Sequence, residues 1–173
     1  DDAKITSIDG DIVVTGTGGN GTDNFNGGVA LFAGGIIEST GDTAFAANID
    51  ITGHGGNGVN FNHGTTNEGV IRVVEGDIDL DGFGGNGEQR TFTTGVFAGD
   101  LQASGAGNIT VTGVGGIDSV GLQQYGINVA VDALIEINTG DLLLLGTGGT
   151  NSGIGVRFSD TIGRIVPTGN GTI

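Results

Sequence analysis

A segment that recurs about every 30 residues constrains the fold of this chain more than any other feature. Each copy has Asp or Asn, then an apolar-x-apolar triplet, then G-x-G-G. The five copies are DIVVTGTGG from Asp11, NIDITGHGG from Asn48, DIDLDGFGG from Asp77, NITVTGVGG from Asn108 and DLLLLGTGG from Asp141. The chain closes on GNGTI, the start of a sixth copy at Asn170. The spacings of 37, 29, 31, 33 and 29 residues therefore indicate five to six imperfect repeats.

Two further apolar segments recur in a constant order inside each repeat. The first has the copies GVAL from Gly28, GVNF from Gly58, GVFA from Gly95, GINV from Gly126 and GVRF from Gly155. The second has the copies KITSI from Lys4, IIES from Ile36, VIRVV from Val70, LQAS from Leu101, LIEI from Leu134 and IGRIV from Ile162. Each repeat thus contains three short predicted strands separated by turn residues. A hairpin meander does not require this constant order, whereas stacked coils with parallel pairing do.

The first strand of each repeat alternates as a strand with one buried face does. Its inward pairs are Ile12/Val14, Ile49/Ile51, Ile78/Leu80, Ile109/Val111 and Leu142/Leu144. A glycine follows each strand core, and we predict that it turns a corner because glycine reaches positive φ without strain. These corner glycines are Gly16, Gly53, Gly82, Gly113 and Gly146. The segment after each G-G pair is predicted to be the variable loop of the coil.

The Asp or Asn that opens each copy is predicted to form a column along the stack. Coils rise by about 4.8 Å, so equivalent residues lie directly above one another. The column contains Asp11, Asn48, Asp77, Asn108 and Asp141. Because Asn alternates with Asp, side-chain amides can donate to neighbouring carboxylates and reduce the repulsion of a column of charges. We therefore predict a structural ladder at these positions.

Composition supports an ordered β protein and excludes several functions. Glycine supplies 39 of 173 residues, but 36% of the chain is apolar and arranged in alternating runs, which a disordered chain lacks. The net charge of −15 argues against nucleic acid as a partner. No run approaches the roughly 18 apolar residues of a transmembrane helix, so no membrane insertion is expected. The chain has no Cys and therefore no disulfide.

The pattern G-[DN]-I-x-[VL]-x-G-x-G-G, followed by G-V-x-[VLF] and an apolar-polar strand, resembles the repeats of filamentous-haemagglutinin-like adhesins and β-strand-repeat bacterial surface proteins. The resemblance covers essentially the whole chain. It implies a right-handed parallel β-helix, secretion to the bacterial cell surface, and a role as an adhesin or surface fibre. It implies no catalytic residues.

Calcium is the metal for which the sequence offers candidate ligands. Gly18 to Phe25 matches the calcium-binding pattern G-G-x-G-x-D-x-U, but tandem copies with the Asp are missing, so a plain Gly/Asn loop explains it as well. Asp79 and Asp81, within D-I-D-L-D from Asp77, join Asp23 as the candidate ligands. His54 and His63 lack a third donor for zinc and are interpreted as surface residues. We predict no cofactor, with a calcium-stabilised module as an alternative.

Catalysis is the other function to weigh, because an acidic pair could hydrolyse glycosides. A site for uronates would also need a cation close to the carboxylates. The available cations are Lys4, Arg72, Arg90, Arg157 and Arg164, and they are scattered among different segments. The chain is therefore predicted not to be an enzyme.

Ice binding is a further function to weigh. Thr15/Thr17 and Thr110/Thr112 suggest a flat threonine array of the kind that binds ice, but other residues interrupt it in three of five repeats.

Residues 1–173 are predicted to form one all-β solenoid domain with three short strands per coil of about 30 residues. The chain opens on an incomplete coil and closes within an anchor segment. We therefore expect it to be a segment of a longer repeat protein, or a protomer that self-associates end to end in a fibre. The predicted role is extracellular, structural and adhesive, with a surface glycan or a receptor on a host or neighbouring cell as partner. The alternative is a β-helix that binds or cleaves carbohydrate.

Overall fold

The computed structural model describes residues 3–22, 24–43, 45–87, 92–116, 123–150, 153–159 and 164–173. These residues form sixteen β-strands in three parallel sheets. The described residues contain no helix and no antiparallel hairpin. The chain makes about five turns of about 31 residues each. The predicted all-β parallel solenoid is confirmed.

The six-residue strands of the anchor segments form sheet B. They are β2 (Ile12–Thr17), β5 (Ile49–His54), β8 (Ile78–Phe83), β11 (Ile109–Val114) and β14 (Leu142–Thr147). Each pairs in parallel with its copy in the next coil, and the register aligns equivalent residues, for example Ile12 with Ile49 and Gly16 with Gly53. The register holds without slip through all five strands.

Two further sheets complete each coil. Sheet C contains β3 (Val29–Leu31), β6 (Thr65–Asn67), β9 (Val96–Ala98), β12 (Ile127–Val129) and β15 (Val156–Phe158). Sheet A contains β1 (Lys4–Ser7), β4 (Ile36–Ser39), β7 (Val70–Val73), β10 (Asp100–Ala103), β13 (Leu134–Ile137) and β16 (Arg164–Pro167). The chain visits the sheets in the constant order B, C, A, as the repeat predicted.

Inward-facing aliphatic side chains from the three sheets fill one continuous core. Ile49, Ile78 and Ile109 of sheet B are fully buried, and Ile71, Leu101 and Ile135 of sheet A meet them. The outward residues of sheet B are exposed or half-buried, as the alternation predicted. Burying such side chains contributes about 25 cal/mol for each Å² of apolar surface removed from water, so stacking is the main source of stability.

One predicted strand is wrong. GVNF from Gly58 is not the sheet C strand of its coil, and Thr65–Asn67 takes that place after Gly64. Thr65 and Asn67 are buried where the other coils place apolar residues. Hydrogen bonds make this tolerable, because Thr65 Oγ1 donates to the Asp81 carbonyl at 2.6 Å and Asn67 Nδ2 to the Asp100 carbonyl at 3.1 Å.

The location of the variable segment is also partly wrong. The longest spacing, 37 residues, arises largely between β4 and β5, in residues 40–48, and not after the G-G pair alone. In the next coil only residues 74–77 separate β7 from β8. The turn from sheet A back to sheet B therefore accepts extra residues too.

Candidate binding surfaces

The Asp/Asn column forms a ladder whose main bonds come from the backbone. Each side-chain oxygen accepts a hydrogen bond from the N–H of the next member. The N···Oδ1 distances are 2.9 Å for Asn48 to Asp11, 2.9 Å for Asp77 to Asn48, 2.7 Å for Asn108 to Asp77 and 2.8 Å for Asp141 to Asn108. The Asn108 side-chain amide also donates to Asp77 Oδ1 at 3.0 Å, the type of bond that the sequence suggested.

The corner glycines lie within the strands of sheet B and not at a turn with positive φ. Among the described glycines, positive φ occurs at Gly34 alone. The predicted reason for these glycines is therefore wrong. A Cβ atom built on Gly16 would lie closer than 3.0 Å to the Gly28 carbonyl, and the other four positions are crowded in the same way. Glycine is needed because two backbone segments of one coil approach each other too closely for any side chain.

Beyond this close approach, the chain forms a two-layered projection in each coil, termed the fin. The fin comprises the described parts of residues 18–28, 55–64, 84–95, 115–126 and 148–155. Its outgoing and returning arms are bonded across coils, since Gly56 N donates to the Asn26 carbonyl at 2.7 Å and Gly85 N to the Asn62 carbonyl at 2.8 Å. The described parts of the fin are therefore stacked coil on coil through backbone hydrogen bonds.

Polar side chains fill the interior of the fin. Asn62, Thr93 and Gln124 are fully buried there in successive coils. Asn62 Nδ2 donates to the Gly58 carbonyl at 3.1 Å and to the Asn86 carbonyl at 2.9 Å, and its Oδ1 accepts from Asn26 Nδ2 at 3.3 Å. One side chain thus joins three coils, because the glycine-rich backbone leaves carbonyl groups that need donors.

Three phenylalanines on the returning arm form an aromatic column that the sequence analysis missed. The ring centroids of Phe25 and Phe61 are 4.9 Å apart and those of Phe61 and Phe92 are 5.0 Å apart, with interplanar angles of 7° and 3°. Phe25 and Phe61 have φ of 67° and 56°, a region that bulky residues rarely adopt. The inner ring faces are covered by one another, so the column mainly presents ring edges to a ligand.

The acidic residues of D-I-D-L-D separate between two locations. Asp77 belongs to the ladder, whereas Asp79 and Asp81 are on the outer face of sheet B, where Asp79 is aligned with Asp50. Burial raises the pKa of Asp79, a hydrogen bond with Thr110 opposes the rise, and the charges of Asp50, Asp77 and Asp81 add to it. Within the described part of the chain, no three His, Asp or Glu residues form a metal-binding group. Asp23, the third candidate, lies outside the described residues.

The two histidines are in different environments and do not meet. His54 is exposed and stacks on Phe83 with 4.7 Å between ring centroids. His63 is half-buried beside Phe61 and Phe97, and its Nδ1 accepts a hydrogen bond from Thr94 N–H at 3.2 Å. Desolvation lowers the pKa of His63 to about 4, so the ring is neutral at physiological pH. The expected surface location is thus correct for His54 only.

A cluster of opposite charges on sheet A was also missed. Glu38 is buried although it faces outward, because Lys4 and Arg72 from the two adjacent strands cover it. Its carboxylate lies 2.8 Å from Lys4 Nζ and 2.6 Å from Arg72 Nη2. Hydrogen bonds from Lys4 and then Arg72 lower the pKa of Glu38 to about 2. Cations that are scattered in the sequence are therefore brought onto one carboxylate by the register of the strands.

The remaining described cations are at two other places. Arg157 lies over the Tyr125 ring, with 5.1 Å from Cζ to the ring centroid. Arg164 lines a small groove with Asp100 and Asp132. Arg90 lies outside the described residues.

Two larger grooves follow the solenoid axis. The corner groove, at the turn from sheet C to sheet A, has a volume of about 440 Å³ and combines Phe97 and Val131 with the carboxylates of Glu68, Asp100 and Asp132. The sheet A groove has a volume of about 630 Å³ and is lined by polar and charged residues together with Val73 and Val74. Asp79 and Asp81 line neither of these two grooves.

Comparison of this chain with protein-family models, with curated proteins and with solved structures gives no match. The likeness to filamentous-haemagglutinin-like repeats therefore remains a resemblance in sequence pattern, while the β-solenoid fold is shown by the structure itself. In the part of the chain that the structure describes, no helix has the length and apolarity to cross a membrane.

Proposed function

We propose that this chain is a non-catalytic structural and adhesive β-solenoid, exposed on the bacterial cell surface as part of a fibre or filament. One observation carries the proposal: three parallel sheets keep their register through every coil, so each outward position becomes a column of side chains along a rod. Such a rod gives an extended surface for contact and resists bending through its stacked backbone bonds.

The positions of the carboxylates support a non-catalytic role. Glu38 and Glu136 line the same groove but lie three coils apart, or about 14 Å, which exceeds the roughly 6.5–9.5 Å between the carboxyl groups of inverting glycosidases. Glu38 is held ionised by Lys4 and Arg72, so it lacks the raised pKa of a general acid. The carboxylates of this groove therefore suit binding better than cleavage.

The outermost strands support association through further coils. In sheet B, β2 and β14 each pair with one described strand, and the last residues of the chain meet β14 at its start, where the Leu142 N–H donates to the Thr172 carbonyl at 2.9 Å. The outer edge of β2 and the rest of the outer edge of β14 are without a described partner strand. An open parallel edge accepts another strand of the same kind. We propose that these edges stack on a further coil, either from a longer chain or from a second copy end to end.

Cryo-electron microscopy of the purified chain near neutral pH, with and without calcium, tests the fibre. Long unbranched filaments with an axial repeat of about 4.8 Å would support stacking between chains. Short rods of uniform length would contradict polymerisation of this chain, and filaments only with calcium would favour the calcium-stabilised alternative. Immunogold labelling of intact source cells tests the location, because label that appears only after permeabilisation would contradict surface exposure.

A further inference from the structure

The sheet A groove has a regular construction that the proposed adhesive role does not by itself require. Its lining contains two rows of outward side chains, with one member of each row from each coil. Arg72, Gln102 and Glu136 follow Glu38 in the first row, in register on consecutive strands. The second row lies two residues further along each coil and contains Thr40, Val74, Ser104, Asn138 and Thr168. The first-row members that line the groove are therefore all polar or charged, whereas Val74 interrupts the polar side chains of the second row, and both rows advance by about 4.8 Å per coil.

The charge of this groove differs from that of the chain. The chain has a net charge of −15, and the corner groove is lined by three carboxylates. In the sheet A groove, the carboxylates of Glu38 and Glu136 are accompanied by the cations Arg72 and Lys4, both of which bind Glu38. Because these charges balance, the groove matches an uncharged ligand better than a cation or an anion.

The lining groups indicate a ligand rich in hydroxyl groups. Gln102 supplies an amide and Glu136 a pair of acceptors, while Arg72 offers Nη1 because its Nε and Nη2 are bonded to Glu38. The Thr40, Ser104 and Asn138 side chains donate to backbone carbonyls, so they offer their oxygens as acceptors for ligand hydroxyls. Ser39 alternates with Glu38 and is in register with the core residue Val73, so its buried hydroxyl faces the core and is no part of the ligand-contacting rows.

The spacing of the rows agrees with a linear sugar. One pyranose unit of an extended oligosaccharide, taken from one glycosidic oxygen to the next, is about as long as one coil rise, so successive units advance in step with successive coils. The first row extends about 14 Å from Glu38 to Glu136, which accommodates a short oligosaccharide.

We propose that the sheet A groove binds a neutral oligosaccharide lying along the solenoid axis, with Arg72, Gln102 and Glu136 as the principal contacts. This inference rests on the proposed adhesive function and names the ligand class that the rod contacts. Recognition uses hydrogen bonds to ring hydroxyls, since the aromatic column of the fin is elsewhere on the coil and presents mainly ring edges.

A glycan array containing neutral, amino-sugar and uronic-acid oligosaccharides, followed by calorimetry with the best neutral oligosaccharide, tests the proposal. The test variant is Gln102→Ala with Glu136→Ala, which removes one amide and one carboxylate from the groove. The matched control is Asp50→Ala with Thr52→Ala, which removes one carboxylate and one neutral polar group from the outer face of sheet B. We expect the wild-type chain and the control to bind and the test variant to lose at least tenfold in affinity.

Three results would overturn the inference. They are binding that the groove variant leaves unchanged, equal loss in both variants, and binding of amino sugars without neutral ones, which would point to the acidic corner groove. Circular dichroism of each variant establishes that it is folded. Failure of this inference is separate from failure of the proposed function, because fibre formation and surface labelling are measured without any sugar.

Discussion

Glycine at the close approach between sheet B and the fin illustrates how a single residue type determines the shape of each coil. The φ angles there are ordinary, so the requirement comes from space and not from backbone conformation. Gly82 faces the Gly95 carbonyl at a distance that leaves no room for a methyl group. Any side chain must push sheet B away from the first residues of sheet C, and rigid stacking transmits that shift to neighbouring coils.

Gly82→Ala is therefore expected to destabilise the protein strongly, by about 3 kcal/mol, because the added methyl group would overlap the Gly95 carbonyl group and the Val96 side chain. Gly19→Ala is the matched control, since a Cβ atom there would have no neighbour within 4 Å. Urea unfolding followed by circular dichroism measures both. Equal stability of the two variants would contradict the crowding explanation.

Asn108 lies between two carboxylates of the ladder, and two substitutions separate its roles. Asn108→Ala removes the acceptor of the Asp141 N–H and should cost about 1–2 kcal/mol at any pH. Asn108→Asp keeps the acceptor but places three carboxylates in succession, so its loss should be largest at neutral pH and low salt. Thermal unfolding at pH 7 and pH 4, with and without salt, distinguishes the two. If Asn108→Asp showed no dependence on pH or salt, charge repulsion within the ladder would be refuted.

The ion pairs of Glu38 should raise the free energy of unfolding over a defined range of pH. Its pKa falls from an ordinary 4.5 to about 2 on folding, so its contribution is complete above pH 4.5 and is lost as the pH falls toward 2. Glu38→Gln should cost about 1–2 kcal/mol at pH 7, a moderate value because Lys4 and Arg72 are 48% and 46% exposed and can return to water.

Chemical unfolding of Glu38→Gln and the wild type across this range is the measurement. The two curves should converge as the pH approaches 2. A difference that stays constant from pH 7 to pH 2 would show that the charge of Glu38 is not responsible. Gln102→Glu, one coil from Arg72, is a useful comparison because it adds a carboxylate to the same row.

At the scale of elements, the sheets were predictable from the sequence and the fin was not. The inward pairs of sheet B repeat as β-branched residues or Leu, so alternation alone located the strands. Thr65–Asn67 escaped because its buried residues are polar, and only their hydrogen bonds make burial tolerable. The distance to the next strand held a clue, since Thr65 precedes β7 by an interval close to those of the other coils, whereas Gly58 is too far away.

Pairs of side chains from different coils were likewise beyond the sequence. Lys4 and Arg72 approach Glu38 only because β1, β4 and β7 pair in one particular register. Phe25, Phe61 and Phe92 are 36 and 31 residues apart, close to the repeat spacing, but they lie in segments without alternation and the next coil has Gln123 in register with Phe92. A contact that depends on register can be located only after the strands are aligned, which requires the coordinates of the coil.

The fin should open independently of the sheets. Asn62→Ala removes donors to the Gly58 and Asn86 carbonyls while leaving the aliphatic core intact. We expect faster hydrogen exchange at the amides of Gly56, Gly58 and Gly85, with exchange in β5 and β8 little changed. Hydrogen exchange measured by NMR or mass spectrometry gives this comparison, with Asn57→Ala, an exposed neighbour, as control. Equal acceleration in the sheets would show that fin and core unfold as one unit.

At the scale of the whole molecule, the net negative charge should destabilise the fold, while contacts between neighbouring coils stabilise it. A net charge of −15 on a rod of stacked coils produces repulsion between carboxylates of successive coils, and few cations are present to offset it. Two of the five cations are used at Glu38. We expect the acidic surface to oppose lateral association of rods, so association end to end is the arrangement that this charge opposes least.

Stability should therefore rise with ionic strength. Increasing salt from 0.01 M to 0.15 M shortens the Debye length from about 30 Å to about 8 Å and screens repulsion between coils more than the short contacts at Glu38. We expect a higher melting temperature at the higher salt concentration, measured by circular dichroism at pH 7. A lower melting temperature would mean that the ion pairs outweigh the general repulsion.

The unbroken register of sheet B has a consequence for how the molecule can be used. Every outward position repeats at a fixed step of about 4.8 Å, so equivalent side chains of different coils are separated by multiples of that step. A chemical group introduced at the second residue of any sheet B strand would be placed at a known multiple of that step from every other such group. The distance between two attached groups therefore follows from the number of coils between them, and the number of coils in the chain sets the largest distance available.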